Sequence, residues 1–394
     1  MKILIISYMY PRTGMPSWGV FVHKQVRALA NLGHEVSVLV PSPRSNGILA
    51  KFCKKWKTYK NVSEMDIIDG IPVFYPKYTA IPKGFLKSYW GKMSLKNTQK
   101  IIKKYNLKFD LIHAHAPIPS GSLGVELKKI YHSKLIITIH GSMITRFPFK
   151  NRMAFRAVER VLVESDAVIT VSRYLKQFVE AHFNIHDKVK VVWNGIDLDE
   201  TEQIKSLKRP NNLPDGQICL TVGTFNEQKG YKALVHAIPG VLNKNPRIHF
   251  YFIGGGVEKK YLEKWIQSYK ISKNVHMLGR LSNIETMQYM NGCDLFVLPS
   301  YDEGFGIVFI EAMAFKKPVI GCAGSGPDDI IDHGVNGMLI NDRKKETLTK
   351  AILQLLDKES NQHLGLNGYN KVVDCFTLEK ICHDIDVIYI NALK

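Results

Sequence analysis

Short apolar runs alternate with amphipathic stretches along the first half of the chain. The pattern predicts strands over Lys2–Ser7 and Glu35–Val40, and between them a helix over Val20–Leu32 that ends at Gly33. Further strands are predicted over Asp110–His113, Leu135–His140, Ala167–Val171 and Val189–Trp193. Apolar runs separated by helices are typical of a parallel sheet covered on both faces, so this half is predicted to be a doubly wound α/β domain.

The same rhythm restarts after residue 197. The stretch Thr201–Gly216 is polar, contains Pro210 and Pro214, and is predicted to be a linker. Strands are then predicted over Ile218–Val222, His249–Ile253, Val275–Met277, Leu295–Leu298 and Val319–Gly321. We therefore expect an α/β protein of two Rossmann-like domains, residues 1–195 and 196–377, facing each other across a central cleft. The tail 378–394 is predicted to be helical, and whether it packs back on the first domain is left open.

Composition agrees with two domains and places the chain in a reducing compartment. With 394 residues, the chain is too long for one ordinary hydrophobic core. Its six cysteines are scattered without a CxxC pair, which suits reduced thiols in the cytosol. No apolar run approaches the ~20 residues that span a bilayer. We expect a cytoplasmic protein, and peripheral contact with the inner face of the plasma membrane is left open.

The positive charge is confined to the first half. Residues 1–195 contain 31 Lys and Arg against 11 Asp and Glu, whereas the remainder contains 23 against 24. Two runs, 51–60 and 84–105, interleave aromatic residues with lysines. Such runs suit an anionic membrane surface, nucleic acid or plain solvation.

The most informative segment follows the predicted strand Leu295–Leu298. A turn leads into a helix that begins at Gly306 and continues through Phe315. A helix that starts in a glycine-rich turn offers free backbone amides to an anion. Glu303 and Glu311 lie where both carboxylates can reach one ligand, Glu303 at a sugar and Glu311 at ribose hydroxyls. The plain alternative is an acidic residue at a helix start and a solvated helix glutamate.

Several motifs in order resemble glycosyltransferase family four. The run 300–306 with Glu311-Ala312-Met313-Ala314 resembles the E-x7-E motif of that family, and the run 222–230 resembles its phosphate-binding segment. Further matches are Gly33-His34-Glu35-Val36, Asn194-Gly195-Ile196-Asp197, Ile253-Gly254-Gly255-Gly256, Gly279-Arg280-Leu281-Ser282 and Val335-Asn336-Gly337. The resemblance implies the two-domain GT-B fold, a nucleotide diphosphate sugar as donor, retention of the anomeric configuration, no cofactor and no required metal.

The same resemblance implies a set of site residues. For donor binding they are Gly19, Gly223, Thr224, Lys229, Gly279, Leu281, Glu303, Gly304, Phe305, Gly306, Ile307, Val308 and Glu311. Lys229 opens a helix beside Gly230, where its ammonium can pair with the donor diphosphate. Many relatives carry Arg where this chain has Thr224. Either Lys229 acts alone, or another cation such as Arg173 assists.

His140 ends a predicted strand, and the resemblance implies that it contacts the donor sugar there. With Lys229 and Glu303, it completes the set of residues for which a catalytic role is predicted. His113 and His115 form an H-x-H pair, but no further ligand at suitable spacing supports a metal site. No carboxylate of the first domain presents itself as a general base. The retention of configuration that the resemblance implies fits a front-face mechanism, in which the leaving diphosphate accepts the proton of the acceptor.

The sequence thus predicts a retaining glycosyltransferase. It would move a hexose or N-acetylhexosamine from a nucleotide diphosphate sugar, with UDP as the commoner carrier and GDP left open, to a glycan or lipid-linked acceptor in cell-surface polysaccharide biosynthesis. Because the resemblance implies that the first domain takes the acceptor, we favour docking of its two basic runs on an anionic membrane, toward a lipid-linked glycan. One alternative keeps the fold but isomerises the donor, as a nucleotide-sugar epimerase. A phosphorylase would need pyridoxal phosphate, for which no lysine stands out. The other alternative is a non-enzymatic nucleic-acid-binding protein, which leaves Lys229, Glu303 and Glu311 unexplained.

Overall fold

The chain folds into two units. A computed structural model describes residues 1–44, 59, 62–79, 87–207, 210 and 213–394, apart from the side chains of residues 87 and 358–362. Unit 1 comprises Met1–Trp193 with Leu378–Lys394, and unit 2 comprises Asn194–Thr377. Of the basic run 51–60, only Tyr59 lies within the described residues, and residues 84–86 of the second basic run also lie outside them.

Unit 1 is built on an eight-stranded sheet with the order β10-β9-β8-β7-β1-β2-β5-β4. Its strands, with the separate pair β3 and β6, are β1 (Lys2–Ser7), β2 (Glu35–Leu39), β3 (Ser42–Pro43), β4 (Met65–Ile68), β5 (Ile71–Phe74), β6 (Lys77–Tyr78), β7 (Leu111–His115), β8 (Lys134–Ile139), β9 (Ala167–Thr170) and β10 (Val189–Val191). The helices are α1 (Val20–Asn31), α2 (Trp90–Lys104), α3 (Ser122–Tyr131), α4 (Ser142–Thr145), α5 (Arg152–Glu164) and α6 (Arg173–His182). All neighbours in the large sheet are parallel except β4 and β5.

The predicted parallel strands are present because most of their side chains are apolar and pack on both faces of the sheet. Every residue of β7 is buried, and β1 is buried from Ile3 to Ser7. The pattern missed the antiparallel pair β4–β5, whose outer strand exposes Ile67. The dipeptide Asp69-Gly70 was a local signal for this hairpin. It lies between the paired Ile68 and Ile71, and both of its residues have positive φ, as a two-residue hairpin turn requires.

Unit 2 is built on a six-stranded parallel sheet with the order β13-β12-β11-β14-β15-β16. Its strands are β11 (Ile218–Val222), β12 (His249–Ile253), β13 (Val275–Gly279), β14 (Leu295–Val297), β15 (Val319–Cys322) and β16 (Met338–Ile340). Its helices are α7 (Leu198–Lys205), α8 (Tyr231–Leu242), α9 (Lys259–Ser268), α10 (Asn283–Gly292), α11 (Ile307–Ala314), α12 (Lys345–Leu355) and α13 (Lys358–Cys375). The α/β fold with two Rossmann-like domains is therefore confirmed.

The predicted linker Thr201–Gly216 is wrong in its first part, because α7 continues to Lys205. The Asp197 side chain caps this helix by accepting the amide of Glu200 at 3.1 Å. Thr201 and Ile204 are buried, so packing stabilises a segment whose composition looked like a linker.

The chain returns to unit 1 through its last helix, α14 (Leu378–Leu393). Ile381, Ile385 and Tyr389 of α14 belong to the same buried cluster as Val22 and Val26 of α1. This helix therefore completes the apolar cover of the unit-1 sheet. Within the described residues, no helix has the length and apolar character needed to cross a membrane.

Candidate active site

A glycine-rich turn joins β14 to α11 in unit 2. Gly306 is the N-cap of α11 with φ of +97°, and no side chain among the described residues caps the helix. A Cβ on Gly306 would lie 2.6 Å from the Phe309 ring, so this position requires glycine. The first amides of α11 are thus left for a ligand, as an anion site requires.

Lys229 and Glu303 form an ion pair beside this turn. The Lys229 Nζ donates to Glu303 Oε2 at 2.5 Å, and the two side chains are only 19% and 14% exposed. Lys229 ends a short 3₁₀ turn in which the Asn226 side chain accepts its amide at 3.1 Å. The structure therefore brings together two of the predicted catalytic residues.

Backbone contacts hold the Lys229 loop against the Glu303 turn. Gly230 has φ of +72°, and a Cβ there would lie 2.1 Å from the Pro299 carbonyl oxygen. The Gln228 Nε2 donates to the Asp302 carbonyl oxygen at 2.7 Å, and the Tyr301 amide donates to the Gln228 carbonyl oxygen at 3.0 Å. These contacts make the spacing of the ion pair a property of two packed loops.

A third loop was missed by the sequence reasoning. It follows β15, and its Gly326 amide donates to the Glu303 carbonyl oxygen at 2.9 Å. A Cβ on Gly326 would lie 2.5 Å from the Phe305 Cα. The Asp328 carboxylate accepts the Gly324 amide at 2.9 Å, which closes the loop. A Ser-Gly-Pro-Asp-Asp sequence after a predicted strand was the available signal.

Predicted donor-binding glycines meet at the carboxyl edge of the unit-2 sheet. The Gly223 amide donates to Ile253, and the Gly254 amide donates to Gly279, at 3.0 and 2.7 Å. Gly254 has φ of +145°, and a Cβ there would lie 1.8 Å from the Gly223 carbonyl oxygen. Such close approach leaves backbone, not side chains, facing this part of the edge.

Thr224 is exposed beside these glycines, and Leu281 is half-buried. The amide of Phe225, the next residue after Thr224, donates to the Gly255 carbonyl oxygen at 3.2 Å. The Arg280 side chain packs against Gly255, because a Cβ on Gly255 would lie 3.2 Å from the Arg280 Nε. The exposed Arg280 guanidinium is therefore a cation near Thr224 that sequence reasoning did not single out.

The remaining predicted residues of α11 and its turn differ in burial, and therefore in the groups that they can present to a ligand. Gly304 and Phe305 are buried, and the Phe305 ring packs on Phe376 with centroids 5.7 Å apart, so Phe305 offers only its backbone. Ile307, Val308 and Glu311 are half-buried on the first turns of the helix.

In unit 1, His140 follows β8 and contacts a second histidine. The His140 Nε2 lies 3.0 Å from the His115 Nδ1, and Phe21 packs its ring edge-on against His140. Burial lowers the pKa of His140 to about 4, so the ring is neutral near pH 7. His113 is buried between Tyr389 and Thr138, and burial, together with repulsion from His140 when that ring is protonated, lowers its pKa to about 3.

Gly19 also belongs to unit 1, where it is the N-cap of α1 with φ of +73°. A Cβ on Gly19 would lie 2.4 Å from the Met9 carbonyl, so the loop before α1 requires glycine here. Arg173, the alternative cation, is exposed at the start of α6. Within the residues that the structure describes, no group of three or more His, Cys, Asp and Glu side chains could hold a metal ion.

Lysines follow one face of α2 in unit 1. Lys92, Lys96, Lys100 and Lys103 are exposed at helical spacing, and we call them the α2 lysine stripe. Tyr89 is 43% exposed at the start of the helix. This is the part of the second basic run that the structure describes, and it presents positive charge with a neighbouring aromatic ring.

Comparisons with known proteins match both halves of the chain. The family model described as "Glycosyltransferase Family 4" matches residues 19–200, and that described as "Glycosyl transferases group 1" matches residues 202–371. The chain is 31% identical to a putative teichuronic acid biosynthesis glycosyltransferase, TuaC, of Bacillus subtilis, over 89% of this chain and 88% of the relative.

Two solved structures share the fold. Sucrose-phosphate synthase of Thermosynechococcus elongatus superposes with a TM-score of 0.80 at 21% identity, over 99% of this chain and 98% of that one. HepE of Anabaena, in complex with UDP, superposes with a TM-score of 0.75 at 20% identity, over 99% of this chain and 100% of that one.

Proposed function

This chain is a glycosyltransferase that belongs to family four, and we propose that it transfers a hexose or N-acetylhexosamine from a uridine diphosphate sugar with retention of configuration. The proposed acceptor is a glycan or lipid-linked glycan of cell-surface polysaccharide biosynthesis. The UDP in the Anabaena structure supports the choice of base, and the teichuronic acid pathway named for the Bacillus relative supports the acceptor class. Family membership sets aside the non-enzymatic alternative.

The observation that carries this proposal is the ion pair between Lys229 and Glu303. An ammonium that is mostly buried and held by two packed loops is already positioned beside the turn where a diphosphate would bind. We assign Lys229 to the charge that develops on the leaving diphosphate. When the donor binds, its phosphate oxygens replace the carboxylate as the partner of Lys229, and Glu303 is released to accept from sugar hydroxyls.

Backbone amides complete the proposed diphosphate site. The uncapped N-terminus of α11 lies in the same turn as Glu303, and its dipole favours negative charge. The glycines of the neighbouring β11 and β12 loops keep side chains out of the way of a close ligand. We propose that Ile307 and Val308 bind phosphate through their amides and that Glu311 binds the ribose hydroxyls.

The family resemblance implies that many members carry an arginine at the position of Thr224, which has no charge in this chain. We propose that Arg280 supplies the second cation, because it is exposed and lies across Gly255, which pairs with the residue after Thr224. Two cations of the protein then neutralise the diphosphate, so the proposal needs no metal ion.

The proposed reaction forms one bond and breaks one bond on the same face of the sugar. The acceptor oxygen bonds to the anomeric carbon while the bond from that carbon to the phosphate oxygen breaks. The departing phosphate oxygen takes the proton of the acceptor hydroxyl. We assign His140 a hydrogen bond to the donor sugar, and its depressed pKa makes it a neutral group instead of an acid or base.

The α2 lysine stripe supports a docking role for unit 1. Anionic lipid headgroups attract such lysines by about 1 kcal/mol each, and an exposed tyrosine suits the headgroup region. We propose that unit 1 binds an anionic membrane surface, where a lipid-linked acceptor resides, and that the protein works at the cytoplasmic face.

Two experiments test the proposal. Thermal-shift screening against nucleotide sugars identifies the donor, because a bound ligand raises the melting temperature by mass action. With that donor, Lys229→Ala and Glu303→Gln are expected to lower the transfer rate by about 100-fold or more. Lys259→Ala, which removes an exposed lysine, serves as the control. A near-normal rate in both site variants would contradict the assignment, and isomerisation of the donor without any acceptor would identify an epimerase.

A further inference from the structure

Four polar side chains share one face of the unit-1 sheet where β7 and β8 end. His113 and His115 are two residues apart on β7, and His115 pairs in register with Thr138, two residues before His140. Alternate residues of a strand point to the same side, and so do register partners in a parallel pair. All four side chains therefore point to the face that α14 covers, where Tyr389 meets His113.

The nitrogen atoms of these histidines are paired unequally. His113 uses both of its nitrogens, one with the Tyr389 hydroxyl at 2.5 Å and one with the Thr138 hydroxyl at 2.6 Å. His115 uses only Nδ1, which lies 3.0 Å from the His140 Nε2. The His115 Nε2 and the His140 Nδ1 are buried atoms with no hydrogen-bond partner among the described residues.

One proton lies between the two coupled rings. Burial holds the pKa of His115 well below its usual range and that of His140 at about 4, so each neutral ring carries a single N–H. Either the His115 Nδ1–H donates to His140, which leaves the His140 proton on Nδ1, or the His140 Nε2–H donates to His115, which leaves the His115 proton on Nε2. The tautomer of His115 thus dictates that of His140.

Burial decides between the two arrangements. His115 is fully buried, so a proton on its Nε2 would be an N–H donor sealed away without a partner. Buried unpaired donors are rarer and more costly than buried unpaired acceptors. The His140 Nδ1 is also a buried atom, but its residue is only half-buried at the end of β8, where a small movement of the ring brings a donor on Nδ1 to a ligand. The arrangement with the His115 proton on Nδ1 is therefore the more stable one.

We propose that His115 is a positioning residue whose Nδ1–H donates to the His140 Nε2 and so fixes His140 as an Nδ1–H donor for an oxygen of the donor sugar. The proposal rests on the function proposed above, in which His140 contacts that sugar. The two rings are nearly coplanar, at 6° with centroids 5.2 Å apart, and Phe21 packs against His140 at 5.0 Å. These contacts fix the ring orientation as well as the tautomer.

Long-range ¹H–¹⁵N NMR on histidine-labelled full-length protein measures the tautomer directly. The wild type is expected to show a protonated Nδ1 on His140, with the resonance assigned by its loss in His140→Asn. His115→Leu removes the donor and is expected to leave His140 as a mixture of tautomers. His115→Asn keeps an amide donor near the position of Nδ1 and is expected to restore the wild-type tautomer. His113→Leu is the matched control, since His113 lies on the same face but does not contact His140 through a hydrogen bond.

Kinetics with the identified donor supply the second readout. His115→Leu is expected to lower kcat/KM by about tenfold or more, while His115→Asn and His113→Leu stay within about threefold of wild type. His113→Leu is nonetheless expected to lower the melting temperature, because Tyr389 and Thr138 lose their partner. Loss of stability is thereby separated from loss of positioning.

Two results would overturn the proposal: a wild-type His140 proton on Nε2, or a His115→Leu protein with unchanged tautomer and unchanged rate. Failure of the proposed function looks different. If no nucleotide sugar supports transfer, the proposed function and the catalytic part of this inference are both wrong. The NMR measurement on the free protein would still show whether the His115 Nδ1–H donates to the His140 Nε2.

Discussion

The Lys229 ammonium lies 2.5 Å from the Glu303 carboxylate, although the two residues are 74 positions apart in the chain. Their loops follow β11 and β14, which are neighbours in the unit-2 sheet. The ion pair is therefore a consequence of strand order. It also places a cation and a carboxylate beside the uncapped N-terminus of α11.

The two charges of this pair are expected to be strongly coupled in stability. A double-mutant cycle with Lys229→Ala and Glu303→Ala should give a coupling free energy of unfolding of about 1–3 kcal/mol, because either single change leaves a mostly buried charge unpaired. The exposed pair Lys259 and Glu263 provides the matched cycle, for which about 0.5 kcal/mol or less is expected. Equal couplings from the two cycles would show that burial of the site pair has no energetic effect.

Gly326→Ala is expected to disturb the site by steric overlap. The new Cβ would lie 2.5 Å from the Phe305 backbone, so the loops must move apart at a cost of about 1–3 kcal/mol, and donor affinity should fall with them. Gly324→Ala in the same loop is the control. Its Cβ meets nothing within 4 Å, so its cost is the backbone strain of a φ of +88°, about 1–2 kcal/mol, without displacement of the neighbouring loop. Urea unfolding and donor titration compare the two variants, and equal effects would argue against close packing at Gly326.

Arg280→Ala is expected to weaken donor use if Arg280 is the second cation. Loss of one charge-assisted contact to the diphosphate should raise the donor KM by about tenfold. Adding Thr224→Arg to this variant places a guanidinium where relatives carry one, and it should recover most of the affinity. Steady-state kinetics of the two proteins provide the measurement. No change in KM on removing Arg280 would leave Lys229 as the cation that acts alone.

The stability of unit 1 is expected to fall as the pH is lowered from about 6.5 toward 5. Burial depresses the pKa values of His113 and His140 from 6.5 to about 3 and about 4, so the unfolded chain binds protons in this window and the folded chain does not. Each such histidine contributes a slope of up to about 1.4 kcal/mol per pH unit, with stability rising as pH rises.

Urea unfolding at several pH values measures that slope. His113→Asn and His140→Asn should each lower it by about 1 kcal/mol per pH unit. A slope that is the same in all three proteins would mean that neither histidine is held neutral by the fold.

Vesicle binding is expected to depend on the α2 lysine stripe. Changing Lys92, Lys96, Lys100 and Lys103 to Gln should weaken flotation with anionic vesicles by about 100-fold or more, given about 1 kcal/mol per lysine. The control replaces four lysines of unit 2 that are also exposed: Lys259, Lys260, Lys264 and Lys273. Binding to neutral vesicles should be weak throughout. A loss of binding that is equal in both variants would indicate a diffuse charge effect and no defined surface.

The sequence alone was sufficient to predict the elements whose burial follows from a short local pattern of apolar residues. The strands β1, β11 and β12, each buried in all but one residue, were predicted with the bounds that they have, because each is a short apolar run bounded by polar or glycine-containing turns. Segments stabilised by distant contacts were less accessible. The half-exposed strand β4 was missed, and α7 was taken for linker because its stability depends on the burial of Thr201 and Ile204.

The same division holds for the site. By itself, the sequence determined the two-domain α/β class and the glycosyltransferase family, because periodicity and short glycine-containing motifs are local properties of a chain. Only the tertiary structure decided that Lys229 contacts Glu303, that the missed loop at Gly326 closes against the same turn, and that His115 contacts His140. These pairings depend on which strands are neighbours and in what register, and strand order is set by the packing of the whole sheet, which no local pattern encodes.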